Sequence, residues 1–284
     1  MNILHTDYKD STSATAGSTT ASRLIPRTLF GTLIRAVRRK LVLRALAARI
    51  VTNFAGSSID FALDLPEKLV VNRVAPGAEI PLSVEQYSGF NVRPAKYGCR
   101  IMIVKEVLED GMWDSMDMNV ETAGYALAKN EESLIVAQLD AADTASSQSV
   151  ANSNATIPPS DITRAIQYLE AANHVATHFL CGVEIANDLR NLDIFTSAAE
   201  SGINDPSKRL IGKIWEMKVI VSNSISSVLA YVIDADHAFM VVEKRPVTIE
   251  KYFDAARDAG FASVTQRLGV RYIQSTAVSE ITTT

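Results

Sequence analysis

The side chains of this 284-residue chain best suited to chemistry are histidine, cysteine and carboxylate groups gathered in a few short stretches. His174, His178 and Cys181 form an H-x3-H-x2-C pattern whose donor types suit zinc. A helical histidine pair of the metalloprotease kind needs a glutamate directly after the first histidine, and Val175 stands there. The following residues (THFLCGVEI) read as a strand, which lacks the 3.6-residue geometry that would bring the two imidazoles together. Asp234, Asp236 and His237 form a D-x-D-H cluster able to hold a cation or act as acid and base, but aspartates between two apolar strands are ordinary turn formers. Glu109 with Asp110 and Asp114 with Asp117 open a helix, where carboxylates oppose the macrodipole. The sequence has no glycine-rich phosphate loop, G-x-S-x-G elbow or Cys/His pair at nucleophile spacing. No catalytic residue, metal ligand or cofactor is therefore expected.

Charge supplies the stronger signal. Residues 11–59 contain no acid but eight bases (Arg23, Arg27, Arg35, Arg38, Arg39, Lys40, Arg44 and Arg49), so a net charge of −4 leaves −12 on the rest. Such a segment faces something the body does not, either a polyanion or an acidic partner. Before it, residues 1–22 are rich in Ser, Thr and Ala and cannot offset their own ordering entropy unless they lie on another surface. Residues 23–51 read as a basic amphipathic helix, with Phe30, Leu33, Val37, Leu41 and Ala48 on one side and Arg27, Arg35, Arg38, Arg39 and Arg49 on the other.

The elements that must position these groups follow from periodicity. Residues 52–66 read as a loop with a short amphipathic segment, and 67–74 (EKLVVNRV) as a strand. Pro76-Gly77, Pro81, Ser88-Gly89 and Pro94 make 73–94 a projecting ribbon, which is marginal alone and needs a neighbour to cover it. Residues 99–107 alternate as a strand. From Glu109 the period becomes helical, with Trp113, Met116, Val120, Ala123, Leu127, Leu134 and Gln138 on one stripe. Thirty such residues extend about 45 Å, and the stripe does not hold the 3.5-residue repeat of a coiled coil. Polar residues 141–160, ending in Pro158-Pro159, read as an exposed linker. A helix capped by Ser160-Asp161 follows over 162–173, then a strand over 177–185 and a helix over 186–192. Strands are predicted over 211–222, 228–233 and 238–243, the last two paired across the Asp234–His237 turn. This order makes an α+β protein. Cys99 and Cys181 read as buried free thiols. No apolar run reaches membrane-spanning length, so no membrane association is expected.

The run KYG, an apolar strand, KEVLED and a long helix carrying ETAGYALA and EESLI resembles the major capsid proteins of tailed viruses, the Hong Kong 97 fold. The closing stretch EKRPVTIEKYFDAARDAGFASVTQRLGVRYIQSTAV is similar to that family's ending: a strand, an R-P-V-T-I-E step, a short helix, Q-R-L-G-V and a last strand. IGKIWEMKVIVSNSI resembles its G-K-I-x-G-x-x-V step, with Glu216 in place of the second glycine, which implies a different turn. The resemblance spans residues 69–281.

It implies an N-terminal arm (1–66), a peripheral region (67–142) with an extended loop (73–94) and a spine helix (109–140), a linker (143–160), an axial α+β domain (161–245) and a C-terminal segment (246–284) returning to the peripheral sheet. By the same resemblance the chain is a non-enzymatic shell protein of the virion, assembled in the host cytoplasm as pentamers and hexamers around double-stranded DNA. Portal, scaffolding and decoration proteins would be its partners. Arg27, Arg35, Arg38, Arg39, Lys40 and Arg49 would face DNA or a scaffold, and Arg73, Glu79, Glu85, Tyr87 and Arg93 a neighbouring subunit. Some members crosslink a loop lysine to a neighbour's asparagine; residues 73–94 contain no lysine, so that chemistry is not expected. An encapsulin-like compartment shell and, from another class, an α+β enzyme are the alternatives.

Overall fold

The computed structural model describes residues 42–64, 71–80, 82, 87–110, 115–154, 156–192 and 213–283. Within them the chain begins with a 3-10 turn, Leu43–Leu46, and β1, Arg49–Thr52. The predicted basic helix therefore does not reach Val51. The β-branched Arg-Ile-Val-Thr run instead pairs in parallel, Arg49 opposite Met240 through Thr52 opposite Glu243. β2, Ile59–Asp64, occupies ground expected to be loop, and residues 71–74, expected to be strand, are irregular. β3, Tyr87–Val92, pairs antiparallel with β2, so the ribbon is rooted earlier in the chain than its breakers suggest.

β4 is Ala95–Val104, and its end comes three residues before the predicted one because α1, Lys105–Asp110, starts there. α2, Ser115–Ser146, has 32 residues and extends about 48 Å. Its buried stripe is Val120, Ala123, Leu127, Ile135, Leu139 and Ala142; Leu134 and Gln138, assigned to that stripe from sequence, are only half-buried. The eight-residue step from Leu127 to Ile135 turns the buried face by about 80°, as the helix passes from one sheet to the other.

The expected linker is stitched down. α2 takes its first residues, β5 (Val150–Ala151) pairs with the chain terminus, and Val150 and Ile157 are buried. α3, Pro159–Ala171, starts with Pro at its first position and no side-chain cap, so Ser160-Asp161 is not the cap. Ile162, Ala165 and Leu169 are its buried face, as expected. β6 is His178–Cys181 and α4 is Val183–Asn191, with Gly182 between them lying so close to Ser226 and Ser227 that any side chain would strike their backbone.

β7 (Lys213–Ile214) and β8 (Met217–Val221) form a hairpin through Trp215 and Glu216, with φ of 45° and 67°. Glu216 thus adopts the left-handed conformation that a glycine takes at lower cost. β9 is Leu229–Ile233, β10 is Phe239–Asp254, β11 is Ala259–Tyr272 and β12 is Val278–Thr282. β9 and β10 do not pair: β12 and β6 already occupy both edges of β9, and the Asp234–His237 turn carries the chain into a different sheet. The short helix expected near residues 251–260 is also absent. β10 runs on to Asp254 and returns through a tight turn closed by Arg257 N–H on the Asp254 carbonyl.

Beside the two-stranded β2-β3 ribbon, the described residues form two larger sheets, ordered β1-β10-β11-β4 and β5-β12-β9-β6-β8-β7. Of residues 246–284, the end of β10 and all of β11 lie in the four-stranded sheet, whereas β12 lies in the six-stranded one. Alternation places Phe179 and Cys181 against α3 and α4, and Leu180, Tyr231 and Ile233 against Ile135, Leu139 and Ala142 of α2. The first half of α2 covers the four-stranded sheet through Val120, Ala123 and Leu127 against Ala262 and Val264. One helix therefore supplies core to both sheets. Both cysteines are free; Cys181 is buried, which pushes its thiol up to about 12 and leaves it inert.

Candidate assembly surfaces

The three residues of the H-x3-H-x2-C pattern, His174, His178 and Cys181, do not come together as a group. His178 turns its Nδ1 to the Thr177 hydroxyl at 3.0 Å, and burial, with Lys218 nearby, lowers its pKa. His174 instead reaches Asp234 and His237.

The root of the described N-terminal segment is bonded to α2 at several points. Leu43 is fully buried beside Ile135 and Leu139, and the backbone N–H groups of Val42 and Leu43 both donate to Glu132 Oε1, the second at 3.0 Å. Ser224 Oγ donates to the other oxygen of that carboxylate. Arg44 forks onto Glu131 with Nη1 at 2.8 and 2.9 Å from its two oxygens, while Nη2 reaches Glu243. Burial works against the Arg44 charge, but Glu243 and Glu131 outweigh it and hold its pKa above the ordinary arginine value. An open cleft of about 430 Å³, bordered by Arg44, Ile50, Glu131 and Glu132, lies beside this clamp. Sequence reading quoted Glu131 and Glu132 only as part of a motif. The usable signal was a pair of acids on an otherwise apolar helix stripe, facing a chain segment that has bases and no acids of its own.

Arg27, Arg35, Arg38, Arg39 and Lys40 lie outside the described residues, whereas Arg49 is exposed on β1. Of the loop residues, Glu85 lies outside them too. Tyr87 opens β3 opposite Asp64, and Arg73, Glu79 and Arg93 are exposed. The ribbon is held by Phe61 stacked on Phe90 at 5.5 Å and by Asn91 donating to Asp60 at 2.6 Å. Beyond it, Ala75-Pro76-Gly77-Ala78 closes a turn with Ala78 N–H on the Ala75 carbonyl at 3.0 Å and Gly77 at φ 83°. Val71, Ile80 and Leu82 stand 97%, 78% and 90% exposed, so these aliphatic groups have no core among the described residues.

The third surface is the far end of the β10–β11 hairpin. Among the described residues β1 pairs with Met240–Glu243 and no strand follows it along that side, so there the rest of β10 is an open edge that exposes Val247, Ile249, Tyr252 and Phe253. Arg100 covers Phe261 at 4.3 Å and Tyr252 at 5.3 Å on the face away from α2.

An extended ribbon without a core, a helix spanning two sheets and an open-edged hairpin are a shape made for packing on copies. A family model described as phage capsid protein matches residues 88–278, two thirds of the chain. The chain belongs to that phage capsid protein family. It is similar in fold to the capsid of the cyanophage P-SCSP1u, at 13% identity over 98% of this chain and 99% of that one with a TM-score of 0.75. The mature capsid of bacteriophage PhiM1 (11% identity, 99% of each chain, TM-score 0.71) and the capsid of a native GTA particle (13%, 95% and 99%, 0.69) share the fold as well. No curated protein sequence matches the chain. As a major capsid protein of the Hong Kong 97 type it is a structural, self-assembling component of a virion shell, and the family match selects the viral shell over the compartment shell. Among the described residues no helix is long and apolar enough to cross a membrane.

Proposed function

We propose that this capsid protein builds an icosahedral shell of pentamers and hexamers around the double-stranded DNA of a tailed virus, in the host cytoplasm and without enzymatic activity. The observation that carries the reading is the ribbon. Val71, Ile80 and Leu82 are almost fully exposed, and burying each on a neighbour would contribute roughly 1.5–3 kcal/mol, multiplied around every ring of subunits. Arg73, Glu79, Glu85, Tyr87 and Arg93 would set the register of that contact. Changing Val71, Ile80 and Leu82 together to serine should leave folded subunits that fail to close shells under the electron microscope. Normal shells from this variant would defeat the reading.

The basic arm would face the interior, where Arg27, Arg35, Arg38, Arg39, Lys40 and Arg49 meet DNA phosphates or an acidic scaffolding protein; portal and decoration proteins would complete the particle. Duplex DNA carries a charge about every 1.7 Å, and contacts to it weaken steeply with salt. Glutamine at Arg27, Arg35, Arg38 and Arg39 removes the charge at little cost in helix propensity. Defective assembly or genome retention is the expected outcome, and particles of normal salt tolerance would reject it.

A further inference from the structure

We propose that His174, Asp234 and His237 form a binding site for one divalent transition-metal ion of the zinc class, at the point where the chain crosses from the six-stranded to the four-stranded sheet. Their donor atoms all lie within 4.8 Å of one another. Asp234 Oδ2 is 3.3 Å from His174 Nδ1 and 2.8 Å from His237 Nδ1. Donors bound at about 2.0–2.2 Å to a tetrahedral ion stand about 3.3–3.5 Å apart, so the His174 pair already fits, the His237 pair must open by a fraction of an ångström, and the two histidine donors, within 4.8 Å of each other, must settle to the same spacing. Two imidazoles and a carboxylate are a donor set zinc uses, and His237, half-exposed, leaves the fourth position toward solvent.

The surroundings are those a metal site requires. His174 and Asp234 are buried, and both are fixed through their backbones. The N–H of His174 donates to the Leu169 carbonyl at 2.9 Å, with Asn173 in the left-handed conformation at φ 61°, the close of a Schellman turn. The N–H of Asp234 donates to the Ala277 carbonyl at 3.0 Å. His174 Nε2 faces Thr276 Oγ1 at 3.0 Å, so an Nδ1-bound ring would give its remaining N–H to that hydroxyl. Asp234 keeps Oδ1 for the N–H of Asp236 at 3.2 Å. Binding also needs each histidine to carry its proton on Nε2 instead of Nδ1. The ion would tie the end of α3, the inter-sheet turn and the segment leading to β12.

The test uses the full chain without a histidine tag, stripped with a chelator and titrated with Zn²⁺ alone by calorimetry. One ion per chain is expected. His237→Ala, on a half-exposed side chain, should keep the far-ultraviolet spectrum and lower affinity more than about tenfold, and Thr276→Val should lower it by about ten- to a hundredfold. His178→Ala should leave it unchanged. Absence of stoichiometric binding, equal affinity in His237→Ala, or loss in His178→Ala would each overturn the proposal.

Discussion

Two pairs of acids on α2, between two and three turns apart, meet opposite surroundings. Glu131 and Glu132 are buried against Arg44, two backbone N–H groups and the Ser224 hydroxyl. Asp140 and Asp143 sit beside another acid, Glu280 of β12. Tyr231 donates to Asp140, and the N–H of Glu280 donates to Asp143 at 2.9 Å. Burial raises the pKa of both Asp143 and Glu280, and the Asp140 charge raises them further. The first pair is compensated by a chain segment that arrives from outside the two-sheet body, the second only by neutral dipoles. The capsid protein thus partly compensates its helix acids where Val42–Leu46 attaches and leaves them electrostatically loaded where α2 lies on the six-stranded sheet.

The comparison breaks most readily at Glu132. Glu132→Ala leaves two backbone donors and a hydroxyl without their charged acceptor, and should cost about 3–4 kcal/mol in urea unfolding while exposing the Val42–Leu46 segment to protease. Unchanged stability would mean that the clamp does not hold the arm. Arg44→Met comes next, at about 1–2 kcal/mol, because the guanidinium is 39% exposed and partly screened. Tyr231→Phe removes the donor to Asp140 without a large cavity, and a loss of about 1 kcal/mol is expected by the same measurement.

The smallest effect is in pH. Both Asp143 and Glu280 have folded pKa values above their ordinary 3.8 and 4.5, so protonation favours the folded state. That stabilisation is complete below the ordinary values and fades as pH rises through the folded ones. Asp143→Asn keeps an oxygen for the Glu280 N–H and removes one charge. It should exceed the parent in stability at neutral pH, with the gap closing on acidification; a gap that widens in acid would reverse the assignment.

Local pattern carried much of the fold. The buried strand β6, the apolar face of α3 and the existence of a long helix after a strand were all legible, because each repeats its signal over several residues. Pairing was not. Asp234–His237 reads as a hairpin turn until β12, far along the chain, is known to occupy the edge of β9. Tyr252 and Phe253 lie in a window rich in helix formers, and only the return of β11 makes it strand. Residues 141–160 look solvated in composition, yet Val150 and Ile157 are two apolar points that suffice to fasten them. In the candidate surfaces, the ribbon was visible through its prolines. The Glu131–Glu132 clamp was not, since its partners are nearly ninety residues or more away.

The open edge of β10 also bears on how a free subunit avoids its own copies. An unpaired strand with Val247, Ile249, Tyr252 and Phe253 is a template for fibre growth, and sequence devices against that are present along it. Pro246 can offer no N–H, and the ladder to β11 slips between Glu243 and Thr248 at the same place, which breaks the regular comb of donors and acceptors. The edge is therefore poor at pairing with itself, and growth of a closed lattice is protected from the linear polymer that would compete with it for subunits.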